Sequence, residues 1–119
     1  MGLAASISVV VVALLHAYFL ILEMFLWTTP YGMRVFGLTP EVAQSSKSLA
    51  MNQGLYNGFL AAGLLWGLSL GEAGLSVRVF FLLCVIVAGV FGALTANRKI
   101  VFVQAIPGAV ALALNILAR

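Results

Sequence analysis

His16 and Glu23 lie in a run of apolar residues, from Leu3 to Trp27, that holds no other group charged near neutral pH. They are seven residues apart, which on a helix is two turns, about 10.5 Å of rise, on nearly the same face. That is too far for a direct hydrogen bond on a straight helix. It is close enough for both to line one cavity, with a ligand, water or another helix between them. An acid at the centre of a membrane helix costs about 2.5–3.5 kcal/mol on insertion scales, so such a residue is first read as functional. The chemistry would be an acid/base pair or a proton relay. The alternative is structural, with each side chain hydrogen-bonded to a neighbouring helix.

A second group follows. Asn52, Gln53, Tyr56 and Asn57 put several donors and acceptors within two helical turns. They suit recognition of a polar head group, or they hold Glu23 in a defined state; the plainer use is hydrogen bonding between helices, about 0.6–2 kcal/mol per bond. Gln104 precedes Pro107, and that proline removes the hydrogen bond to the Val103 carbonyl and is expected to kink the helix. Asn115 falls on the same face. Other chemistries are set aside. There is no glycine loop followed by Lys for phosphate. One His and one buried Glu are too few for a zinc or di-iron site. A lone His is weak ground for haem, and a serine triad has no acid partner. No metal or cofactor is therefore expected. Cys84 is the single cysteine, so there is no disulfide framework.

These side chains must be positioned by very apolar elements. The chain has 119 residues, 64% hydrophobic and 8% charged, against about 25% charged in a soluble domain. A core of this size cannot hide so much apolar surface, which predicts a bilayer as solvent. Six basic residues give a net charge of +3, too scattered for a nucleic-acid surface. The expected fold is all-α, a single domain over 1–119 built as a bundle of four transmembrane helices near 3–27, 40–70, 77–96 and 100–118. The first has no basic residue before it and reads as a retained span rather than a signal peptide. Thr39-Pro40-Glu41 reads as a helix start.

Arg34, Lys47, Arg98 and Lys99 fall on one side of this topology, and Arg78, Arg119 and the terminal amine on the other. The positive-inside rule then places both termini outside. Small residues offer close helix packing and a surface for a homo-oligomer: Gly54 and Gly58 with Gly63, Gly67 and Gly71, then Ala88/Gly92, Gly89/Ala93, and Ala105, Ala109 and Ala113.

Five segments carry a resemblance: His16–Pro30, including Glu-Met-Phe-Leu-Trp-Thr-Thr-Pro; Val35–Pro40; Asn52–Ala61, including Asn-Gln-Gly-Leu-Tyr-Asn-Gly; Val87–Gly92; and Gln104–Pro107. Over essentially the whole chain the sequence resembles the small bacterial family known as domain of unknown function 1304. The resemblance implies a four-helix protein of the bacterial cytoplasmic (inner) membrane and implies no activity.

Three functions stay open. The first is a membrane protein that binds a small amphiphile entering from the lipid bilayer, enzyme or not, with Glu23 as acid/base or polar anchor, His16 as its partner, and Asn52, Gln53, Tyr56, Asn57 and Gln104 orienting the ligand. The second is a proton-coupled exporter acting as a dimer. The third is a structural or assembly subunit.

Overall fold

Every ordered element of the computed structural model, which describes residues 2–117, is helical, and no strand occurs among the described residues. Six α-helices are present: α1 Leu3–Met24, α2 Pro30–Phe36, α3 Pro40–Ser45, α4 Lys47–Ser69, α5 Leu75–Thr95 and α6 Ile106–Leu117. A 3₁₀ turn at Gly71–Gly74 leads into α5, and a π-helical turn at Val101–Ala105 leads into α6. The expected ends at Ala118 and Arg119, and the terminal amine, lie outside the described residues.

The all-α expectation holds, with more breaks than the four helices expected. The first helix stops at Met24, because Thr29 caps a new helix: its side chain accepts from the Gly32 N–H at 3.2 Å, with Pro30 in the first turn. Thr39 does the same for α3, accepting from Val42 N–H at 3.3 Å. The expected second helix is interrupted at Ser46, whose hydroxyl turns back to the Val42 carbonyl at 2.6 Å. In the fourth, the Ile106 N–H reaches the Val101 carbonyl, five residues back, just before Pro107. The extra residue is absorbed where the proline ring would otherwise crowd the helix.

Among the described residues two helical stretches are long and apolar enough to cross a membrane, Leu3–Met24 and Gly71–Thr95. The expectation of four such spans is not met on length and composition. α4 has 23 residues, but Asn52, Gln53 and Asn57 dilute its hydropathy. Val101–Leu117 is apolar but shorter.

Contacts divide the chain into two compact units. The first runs to Leu15 and resumes at Leu60. Its core is Val9, Val12, Ala13, Leu64, Leu82, Val85 and Ala111, with Leu60, Leu68, Phe81 and Leu112 packed against it. A Cβ on Gly89 would lie 2.6 Å from the Ala105 backbone nitrogen, so α5 meets the π turn backbone to backbone. The second unit is His16–Phe59. Its buried residues include Leu22, Ala43 and Ala50. Its short helices are tied down by Trp27, whose Nε1 donates to Ser46 Oγ at 3.0 Å and whose ring lies 4.8 Å from that of Phe36.

Candidate functional site

Most of the polar residues singled out above fall in the second unit. α1 and α4 come together there because α4 presents small residues. A Cβ on Gly54 would stand 2.6 Å from Met24 Cγ and 3.1 Å from Glu23 Cβ, and one on Gly58 would stand 2.7 Å from Leu20 Cδ1. The Gly54/Gly58 step therefore sets the distance between the helices, and the side chain three residues after Gly54 reaches across. Asn57 Nδ2 donates to Glu23 Oε1 at 2.5 Å. Both residues are buried, Glu23 keeping 9% of its surface and Asn57 6%.

His16 is completely buried on the same helix as Glu23. Its ring meets that of Phe19 edge to face, centroids 5.4 Å apart. The buried residues of α4 in this unit are Ala50, Gly54 and Asn57, spaced by four and three. Asn57 thus belongs to the packed stripe with the glycine, whereas Asn52, Gln53 and Tyr56 face outward. Tyr56 stacks loosely on Phe59, centroids 6.2 Å apart. Asn52 lies with Met24, Ser48, Met51 and Leu55 along a shallow groove of about 360 Å³. Gln104 is half-buried in the π turn and belongs to the first unit. Among the described residues no cluster of three or more His, Cys, Asp or Glu side chains could hold a metal ion.

A second polar cluster, in the first unit, was not foreseen. Arg78, counted above as a topology signal, is 2% exposed. Its Nε donates to Asn115 Oδ1 at 2.8 Å, and its Nη1 donates to the carbonyls of Gly67 at 2.9 Å and Gly71 at 2.7 Å. Asn115 in turn donates to the Ala111 carbonyl at 2.8 Å and the Ala5 carbonyl at 3.4 Å. Arg78 and Asn115 are both polar residues in otherwise apolar runs, and that is the signal that could have paired them. Arg78 closes the last turn of α4. Gly71 takes the left-handed conformation that ends the helix, with φ +61°, and its carbonyl is one of the acceptors.

The fold and these clusters define an all-helical protein with two internal polar contacts set in apolar packing. The chain belongs to the family described as Protein of unknown function (DUF1304), whose model matches residues 10–116. It is similar to the Uncharacterized protein YpaA of Lactococcus lactis subsp. lactis (strain IL1403), 33% identical over 106 residues, covering 87% of this chain and 89% of that one. No solved structure matches it.

Proposed function

We propose that the protein is a small integral membrane protein of the bacterial inner membrane that binds an amphiphilic or lipid-like ligand at the Glu23–Asn57 contact. One observation carries the reading. A buried carboxyl sits in the last turn of α1, bonded to a single amide, and the next residue, Met24, lines an open groove. The groove's lining matches the two ends of an amphiphile: Ser48 and Asn52 are polar, and Met24, Met51 and Leu55 are apolar. Glu23 is the acid/base group or polar anchor and His16 its partner on the same helix. Asn57 orients the carboxyl, and the outward-facing Asn52, Gln53 and Tyr56 contact the ligand.

The membrane setting rests on the two long apolar stretches and on the apolar surface of the rest. In this reading α4 and the final helical stretch also cross, giving four spans. The polar amides of α4 are tolerated because they pack against a helix or face the ligand. Both termini lie outside.

The test is mass spectrometry of small molecules that co-purify with the full chain in mild detergent, wild type against Glu23→Gln. A compound held by wild type and lost from the variant supports the binding site. Only bulk lipid in both overturns it and leaves the contact as a structural one.

A further inference from the structure

Two phenol hydroxyls and a guanidinium come together on the surface of the second unit, and none of the three residues lines the groove. The hydroxyl of Tyr18, on α1, hydrogen-bonds that of Tyr31, on α2. Arg34, one turn further along α2, holds its guanidinium carbon 5.7 Å from the centre of the Tyr31 ring. Tyr18 and Tyr31 are 39% and 43% exposed, and Arg34 is exposed as well.

The proton count of this cluster is unbalanced. Two hydroxyls joined by one hydrogen bond use one of their two protons, so one O–H remains to be donated outward. A guanidinium adds N–H donors in a planar fork that matches the oxygens of a phosphate and keeps its charge at any working pH. Arg34 itself is exposed and lies over the Tyr31 ring. The cluster therefore presents donors and positive charge and asks for an anionic oxygen acceptor.

Its neighbours along the chain say where that acceptor lies. Phe25, Val35 and Phe36 are exposed apolar residues, Phe25 at 70%. Cationic and phenolic groups set among exposed apolar side chains suit the headgroup layer of a bilayer, where amphipathic rings and basic residues settle. We propose that Tyr18, Tyr31 and Arg34 bind the phosphate of an anionic phospholipid headgroup. The proposal shares the membrane reading given above and does not depend on a ligand at Glu23. The competing use of Arg34, in the last turn of α2, is to complement the carbonyl end of that helix. That use gives no preference among lipids.

The experiment is native mass spectrometry of the full chain in mild detergent, titrated with phosphatidylglycerol or with phosphatidylcholine of the same acyl chains. Phosphatidylglycerol binds more tightly, because the choline ammonium offsets the phosphate charge. Arg34→Gln weakens phosphatidylglycerol about tenfold, as expected for a charged hydrogen-bonding partner, and weakens the already poorer phosphatidylcholine by less, so the preference between the two lipids narrows. Tyr18→Phe combined with Tyr31→Phe weakens it about threefold, since only a neutral donor is lost. These positions are exposed, so thermal unfolding of the variants stays at the wild-type temperature. Equal binding of the two lipids overturns the proposal, as does an Arg34→Gln variant that binds phosphatidylglycerol normally. Displacement of the lipid by an equal concentration of inorganic phosphate overturns it in favour of a free-phosphate site. Loss of the co-purifying compound from Glu23→Gln, with Arg34-dependent lipid binding intact, separates this site from the Glu23 site.

Discussion

Two helix ends in this chain carry a buried ionisable side chain bonded to an asparagine, and the two are opposite in sign. At the end of α4, Arg78 donates to the carbonyls of Gly67 and Gly71 and to Asn115. Those carbonyls belong to a helix terminus, where acceptors lack partners within the helix and the dipole favours a cation. At the end of α1, an acid, Glu23, occupies the corresponding place, where a negative charge is the disfavoured sign. No basic residue stands in that last turn, and an ionised acid there is disfavoured by about 0.3–1 kcal/mol. Its bond to Asn57 satisfies no helix-end group. Fold stability accounts for Arg78 and does not account for Glu23. That difference is the physical ground for proposing function at the Glu23 cluster rather than at the Arg78 cluster.

The Arg78 cluster carries the largest expected loss of stability. Arg78→Met keeps most of the stem's length and removes all three donated bonds, leaving the Asn115 amide oxygen and two helix-end carbonyls without that donor. Each buried orphan costs about 1–3 kcal/mol, so the loss is on the order of 3 kcal/mol or more. Arg78→Lys recovers part of it, as a point charge without the fork. Thermal unfolding in detergent measures both. A loss for Arg78→Met below about 1 kcal/mol would show that the cluster is not the stabilising one and would remove the contrast.

The two helix crossings differ in the same direction. At Gly89 a new methyl meets the backbone nitrogen of Ala105, which cannot move without shifting the π turn. At Gly54 the nearest atom is Cγ of the flexible Met24 side chain, with Glu23 Cβ and the Leu20 carbonyl at 3.1 and 3.3 Å. Gly89→Ala is therefore expected to destabilise by about 2–3 kcal/mol and Gly54→Ala by about 1 kcal/mol. Unfolding midpoints decide the order. Gly54→Ala should also weaken ligand retention, because Glu23 is one of the residues it pushes, whereas Gly89→Ala should not.

How much of this was legible in the chain follows from range. Helicity, caps such as Thr39-Pro40 and the small-residue contacts of Gly54 and Gly58 depend on residues close in sequence, and these were readable. The break after Met24 was not, because Phe25, Leu26 and Trp27 carry the apolar run past the point where the helix stops. The break at Ser46 is held by Trp27, 19 residues away. Arg78 and Asn115 are 37 residues apart, and a charge in an apolar run reads equally well as an interface marker until its partner is known. Within the candidate site, His16, Glu23 and Asn57 could be picked out as polar residues in apolar context. That Asn57, rather than Asn52 or Gln53, reaches Glu23 depends on the side from which α1 approaches, and one helix's periodicity does not encode that.

Asn57→Leu should cost less than Arg78→Met. It leaves one buried carboxyl oxygen without its amide donor, about 1–2 kcal/mol, and it adds an apolar side chain that fits the packed stripe.

Glu23→Gln is expected to have the smallest effect on stability and the clearest on function. Gln keeps the shape and the Oε1 acceptor, so the Asn57 amide still has its partner, and no carboxylate can form at the end of α1. The unfolding midpoint should shift by less than about 1 kcal/mol, with either sign allowed. What Gln cannot do is exchange a proton or present a carboxylate to a ligand. A variant that is as stable as wild type but loses its co-purifying compound places the selective value of Glu23 outside folding. A variant as badly destabilised as Arg78→Met makes the two clusters alike, and the reason for preferring one of them disappears.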